Sequence, residues 1–216
     1  PASNLYRLGP AILQLARVRE VTVPRKAGAL HVLEALANAT GETSHVTVLS
    51  GTTLHSLASH ESPKHGIRAV IDIQTFPLHA TASGLCALAF GPSDLFDIAC
   101  TNMQAFTAQT LQGASALSQE VATARATGFG RTVRSFEDEV SSLSAPIFDQ
   151  TGLLAGTVTV ACVANRMSHA LEQTIKDNLI IAARAITRNW GGTIPAEIEA
   201  AWANSPTSEH ALDTAS

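Results

Sequence analysis

The chain is short of charge, of aromatic residues and of cysteine, and each shortage closes off a class of function. Only 15% of its 216 residues are charged against 45% hydrophobic, which excludes a disordered chain and indicates a compact body with a substantial core. Basic residues number 14 and acidic residues 18, for a formal net charge of −4. With no concentrated basic patch, these residues are not expected to hold nucleic acid by themselves. The three cysteines, Cys86, Cys100 and Cys162, show no CxxC spacing and stand in apolar surroundings. They read as buried thiols in a reducing compartment, so a cytoplasmic location is expected. No apolar run reaches membrane-spanning length, because charges, prolines and polar residues interrupt every candidate. No leader opens the chain, and its first residue is Pro1 rather than Met, which leads to the expectation that part of the natural protein precedes it.

Signatures of enzyme chemistry are equally scarce. A hydrolase, the serious enzymatic rival, needs an activated nucleophile with a base in reach, yet there is no GxSxG elbow. Cys86 sits in an apolar run, where burial would raise the pKa of its thiol. Gly128-Phe129-Gly130-Arg131 is too short for a nucleotide loop and lacks a Lys-Ser/Thr pair. Glu137, Asp138 and Glu139 read as a solvated turn rather than a general-acid pair. His55, His60, Glu61 and His65 flank a loop with no supporting cysteine pair, so no metal and no cofactor are expected.

The pattern of apolar residues defines the elements. Pro24 opens a helix whose stripe is Leu30, Leu33, Leu36 and Ala37, stopping near Gly41. Three strands are expected over His45 to Ser50, Leu54 to His60 and Ile67 to Gln74. In the last, Ile67, Ala69, Ile71 and Ile73 alternate with Arg68, Val70, Asp72 and Gln74. Short helices follow over Ser83 to Phe90 and after Ser93 or Asp94, then a longer one over Leu111 to Ala126, stopped by Gly128. A hairpin is expected from Val140 to Phe148 and Leu153 to Val163, with one fatty face and one small, partly hydroxylated face. Leu171, Ile175, Leu179, Ala182, Ile186 and Trp190 mark a closing amphipathic helix, ended by Gly191-Gly192. Pro195 begins a further short helix, and a frayed polar tail starts at Ser205. The order indicates an α+β domain with a largely antiparallel sheet, helices on one face and room for a pocket on the other.

The most informative segment runs from Phe76 to Phe90, where a strand end meets the small-residue turn Ala82-Ser83-Gly84 and a helix opens behind it. Unpaired N–H groups and the helix dipole make such an end a cradle for an anion. The plainer alternative is an ordinary helix start capped by Thr81 or Ser83.

Four pieces occur in order: Leu5-Tyr6-Arg7-Leu8-Gly9, then Pro77-Leu78-His79-Ala80-Thr81-Ala82-Ser83-Gly84, then Gly128-Phe129 ahead of Pro146-Ile147-Phe148-Asp149, then Leu154-Ala155-Gly156-Thr157-Val158-Thr159-Val160. Together they resemble the isocitrate lyase regulator (IclR) family of bacterial transcription factors. The resemblance implies a GAF/PAS-like (profilin-like) effector-binding domain with a curved, mainly antiparallel sheet and flanking helices. By this registration residues 1–23 are the end of a winged-helix wing and a linker helix, 24–192 the effector-binding domain, and 193–216 a short helix and tail. It further implies a small-molecule effector, operator DNA held through an N-terminal helix-turn-helix absent from this chain, and a homodimer or homotetramer, with no membrane partner.

Carried over residue by residue, the resemblance places the effector against backbone groups of Ala82 and Ser83, next to Gly84. Thr132, Ser142, Thr159 and Ala161 supply the later strands, and His79 stands at the mouth, either as an effector contact or bonded to a nearby carbonyl. This chain departs from the family at several points, with Arg134-Ser135 where many members carry an acidic pair, Leu85 where a lysine is common, Ser142 where a cysteine or similar residue stands, and Ala161 in place of a serine. The implied effector is therefore an acid or amide with an apolar or aromatic body. Two other classes remain: an enzyme of GAF-like fold acting on a small organic acid, and a pure interaction module using the Leu171 to Trp190 or Ile12 to Arg19 helix.

Overall fold

A computed structural model of the chain describes residues 11, 14 and 24–204. The expected wing strand and the tail after Asn204 lie outside these residues. Of the expected linker helix only Ala11 and Gln14 are described, both helical. Helix α1, Arg25–Thr40, starts behind Pro24 and ends at Gly41, burying Leu33, Leu36 and Ala37. Leu30 of the expected stripe instead points outward, 44% exposed.

Strands β1 (Thr43–Ser50) and β2 (Thr53–His60) form a hairpin, and the two-residue strand β3 (Thr75–Phe76) pairs with the start of β2. Helices α2 (Ala82–Phe90), α3 (Asp94–Thr101) and α4 (Ala114–Thr127) follow. Leu111 lies ahead of α4 rather than within it. Strand β4 (Gly130–Val133) precedes the long hairpin β5 (Val140–Phe148) and β6 (Leu154–Val163). Helices α5 (His169–Asn189) and α6 (Ala196–Asn204) close the fold. The six strands make one antiparallel sheet in the order β3-β2-β1-β6-β5-β4.

Both faces of this sheet are covered, which corrects the expectation of helices on one face only. On one side α1 and α5 pack, tied by the Ser44 hydroxyl donating to the Leu33 carbonyl and the Phe148 amide donating to the Thr187 hydroxyl. On the other side α2 lies across β4, β5 and β6, with α4 behind it and α6 against α4. That double cover explains why every residue of β6 from Leu154 to Cys162 is buried. The close approach of α2 depends on glycine: a Cβ at Gly130 would lie 2.2 Å from the Ala82 carbonyl oxygen.

The segment from Ile67 to Gln74 is not a strand. It crosses the open part of the α2 side as an irregular strap, with Ile67 77% and Val70 55% exposed. Its period-two alternation is real, but the chain leaves the edge of β2 upstream of Thr75, so its backbone finds other partners. The Thr43 hydroxyl donates to the Ala69 carbonyl at 2.6 Å, and Arg166 Nη1 donates to the Ile67 carbonyl at 2.9 Å. Sequence alternation cannot distinguish a paired strand from an extended cover over a cavity.

Candidate functional site

Between the strap, the sheet and the start of α2 lies a cavity of about 50 Å³. Its floor comes from alternate positions of the central strands. His45 of β1 sits opposite Thr159 of β6, and Ser144 of β5 opposes Thr159 from the other side. In the next row Thr43, Ala161, Ser142 and Thr132 stand in register across four strands. The strap supplies Ile71 and Ile73, and Phe76, Phe136 and Val140 complete an apolar wall.

Helix α2 begins at the edge of this cavity. Thr81 caps it by accepting a hydrogen bond from the Gly84 amide at 3.0 Å, and the Leu85 amide returns to the Thr81 carbonyl. Among the described residues the amides of Ala82 and Ser83 find no intramolecular acceptor, and both residues line the cavity. The two unpaired N–H groups and the positive end of the helix dipole therefore lie in its wall.

A chain of hydroxyls determines what else is free. Ser144 donates to the Val158 carbonyl at 3.3 Å, and Thr159 donates to Ser144 at 2.8 Å. Each hydroxyl has one hydrogen. Ser83, 2.8 Å from Thr159, must therefore be the donor to it, and His45 Nε2, 3.3 Å from Ser83, must carry the hydrogen that Ser83 accepts. His45 is thus the Nε2–H tautomer, and its Nδ1 is a bare acceptor. Among the described residues that atom is buried without a partner, in a ring 3% exposed that stacks on Phe76 at 5.1 Å. Burial holds the imidazole neutral, pushing its pKa from the ordinary 6.5 to about 3.

Six of the residues carried over from sequence, Ala82, Ser83, Thr132, Ser142, Thr159 and Ala161, line this one cavity. Two do not. Gly84 packs against the backbone of Leu78, where a Cβ would sit 2.3 Å from the Leu78 oxygen. His79 is paired through Nε2 with the Gln104 carbonyl at 2.9 Å, and its ring lies beside Phe106, the structural alternative rather than a wall of the cavity. Sequence reasoning missed His45, the strap residues, Phe136 and Glu137. The available signal was the alternation of Thr43, His45 and Thr47 in β1, polar side chains on one face of a strand that lies in the middle of the sheet.

No group of three or more His, Cys, Asp or Glu side chains among the described residues is placed to hold a metal ion. Cys86 is fully buried beside Ser144, and burial drives its thiol up to about 12, so it stays a neutral packing group at ordinary pH. No described helix is long and apolar enough to cross a membrane.

A curled antiparallel sheet with helices on both faces, and a strap-covered cavity at a helix start, defines the class of GAF-like sensing domains. Residues 21–188 match the family model for the bacterial transcriptional regulator IclR C-terminal domain. Similar proteins include the glycerol operon regulatory protein of Streptomyces coelicolor, 27% identical over 88% of this chain and 76% of that protein. The HTH-type transcriptional regulator BhcR of Paracoccus denitrificans is 31% identical over 84% of this chain and 63% of its own length. In structure, an IclR-type transcriptional regulator from Silicibacter sp. TM1040 superposes with a TM-score of 0.83 at 33% identity, covering 95% of this chain and 80% of that one. The chain belongs to the IclR family of transcriptional regulators, and residues 21–188 are the family's C-terminal, effector-binding domain.

Proposed function

We propose that the cavity under the strap receives a small organic acid or amide with an apolar or aromatic body, and that its occupancy modulates operator binding. The observation that carries this reading is the pair of amides of Ala82 and Ser83, unpartnered among the described residues, in the wall of a partly covered, largely apolar space. The effector's acceptor end lies against them, with Ala161 and the strap isoleucines around its body. Thr132 and Ser142, 3.2 Å apart, keep one hydroxyl hydrogen between them for the ligand. Thr159 acts by holding Ser83 and His45 in place, because its hydrogen is already committed to Ser144.

A cavity of about 50 Å³ has room for a few waters, whereas ligand sites usually measure roughly 300–1,000 Å³. Entry therefore requires the strap to shift outward, and the ligand stabilises that shifted arrangement with Ile71, Asp72 and Ile73 still against it. If that arrangement differs in operator affinity, binding shifts the population between the two without any bond being made or broken. Residues 24–192 form the sensing unit, and residues 1–23 connect it to a DNA-binding helix-turn-helix. The complete regulator works in the cytoplasm as a homodimer or homotetramer. The regulator names of the relatives support a sensing role. The hydroxyl–imidazole pair in the cavity, Ser83 with His45, has the imidazole donating, so the serine has no general base there.

Calorimetric titration of the chain with aromatic acids and with short keto acids tests the reading, alongside Ala161→Val, which narrows the cavity from its floor. Aromatic acids should bind, be recovered unaltered, and lose affinity in the variant. Tight binding confined to keto acids would remove the apolar-body assignment, turnover would reinstate an enzyme, and unchanged affinity in Ala161→Val would move the site elsewhere.

A further inference from the structure

The cavity has an electrostatic asymmetry that its helix end alone does not explain. Its inner part is bounded by Ala82, Ser83 and His45, which are 1%, 1% and 3% exposed. Its outer part is bounded by Asp72 of the strap and Glu137 of the β4–β5 loop, both solvent-exposed. Among the described residues no lysine or arginine lines it. Among the described residues neither carboxylate is paired with a cation. The nearby Arg134 is already engaged with the Asp138 carbonyl, Asn165 and Glu139. Arg68 is bound to Glu61, and Arg166 to Glu42 and the Ile67 carbonyl. Two like charges thus share the entrance without compensation. Burial and the neighbouring Asp72 both push the Glu137 carboxyl above its ordinary value.

An entrance of this kind repels a simple carboxylic acid, yet the inner end offers two amide donors suited to one. The conflict is resolved by a ligand that carries both signs. The deeply buried His45 contributes independently: its ring lines the same cavity and its Nδ1 has no partner among the described residues, so a guest that brings only acceptors leaves it unsatisfied.

We propose that the effector is an aminated organic acid, a zwitterion with its carboxylate at the Ala82 and Ser83 amides and its ammonium between Asp72 and Glu137, separated by the apolar body. This rests on the cavity being the effector site, as proposed above, and adds the class of compound that it selects. His45 Nδ1 then accepts from an N–H or O–H donor of the ligand or of a water carried in with it. The acidic entrance serves as a filter. It attracts the ammonium end and disfavours the deaminated acid of the same shape, because specificity is a difference of affinities and repulsion contributes to it.

Matched probes test this on the full chain by calorimetry at low ionic strength: 4-(aminomethyl)benzoate against 4-methylbenzoate, and 6-aminohexanoate against hexanoate. Two shapes are used so that fit alone does not decide. In at least one pair the zwitterion should bind about tenfold more tightly than its amine-free partner. The Asp72→Asn/Glu137→Gln double substitution, at two exposed positions, should bring the pair to within about twofold. Ala161→Val should weaken both members. Equal or tighter binding of the amine-free acid to the unaltered chain overturns the zwitterion assignment. If that binding is lost in Ala161→Val, the cavity itself still stands. Zwitterion binding that ignores Ala161→Val places the ligand elsewhere and overturns both readings. Failure of all four probes to bind overturns the zwitterion assignment.

Discussion

Arg166 grips Glu42 with two hydrogen bonds, Nε to Oε1 at 2.7 Å and Nη2 to Oε2 at 2.6 Å, across 124 residues of chain. Glu42 is 1% exposed at the start of β1, whereas Arg166 sits in the turn after β6 and also holds the strap through the Ile67 carbonyl. The pair thus joins the sheet to the cover of its cavity. Replacing Arg166 with Met should cost about 2 to 3 kcal/mol in chemical denaturation, because a buried carboxylate loses its partner while Arg166 itself was partly hydrated. Hydrogen exchange over residues 61–74 should accelerate more than that of β5 and β6. Equal acceleration throughout would mean that the pair does not act through the strap.

Thr159→Val keeps the shape of the side chain and removes the hydroxyl in the middle of the relay. Ser83 loses its acceptor and Ser144 loses a donor, both in buried surroundings. A loss of about 1–3 kcal/mol is expected from thermal or urea denaturation. Effector affinity should also fall, since Ser83 and His45 are then free to turn. A variant as stable as the parent would show that water replaces the hydroxyl.

His45 should make the protein acid-sensitive in a defined window. Its folded pKa, about 3, lies below the ordinary 6.5, so between these values the unfolded chain binds a proton that the folded chain refuses. Stability from this residue is complete above pH 6.5 and is lost progressively on acidification toward 3, at about 1.4 kcal/mol per pH unit. The difference in unfolding free energy between the parent and His45→Gln isolates this slope from other titrating groups. A pH-independent difference would show that the imidazole is not held neutral by burial.

Gly130→Ala adds one carbon where α2 rests on β4. A Cβ there meets the Ala82 carbonyl at 2.2 Å and the Cys86 amide at 2.7 Å, both backbone atoms that cannot move without the helix. The substitution should destabilise by about 1–3 kcal/mol and weaken effector binding beyond that, because the amides of Ala82 and Ser83 move with the helix start. Binding that survives intact in a folded variant would show that those amides do not hold the ligand.

Much of the framework was legible without coordinates. Helix α1, the β5–β6 hairpin and α5 carry periodicities long enough to be unambiguous, and their ends are marked by Pro24, Gly41 and the Asp149–Gly152 turn. The small-residue turn at Ala82 and Ser83 and the hydroxyl positions of β4, β5 and β6 came from resemblance to a family. The structure brings them to one cavity. Strand β4 is only four residues long with one buried face, and periodicity alone did not show it.

What the sequence determined by itself was local: which segments alternate by two or by three and four, where glycine and proline interrupt them, and which residues are too small to fill space. What tertiary structure decided was partnership. Ile67 to Gln74 alternates like a strand, and only the position of Thr43, Arg166 and the edge of β2 makes it a strap. His45 is one histidine of eight in the sequence, and only the register of β1 on β6 seals it from water beside Ser83 and leaves one nitrogen bare. Alternation reports which side of the chain is apolar, whereas hydrogen-bond partners and burial depend on what the rest of the molecule places opposite.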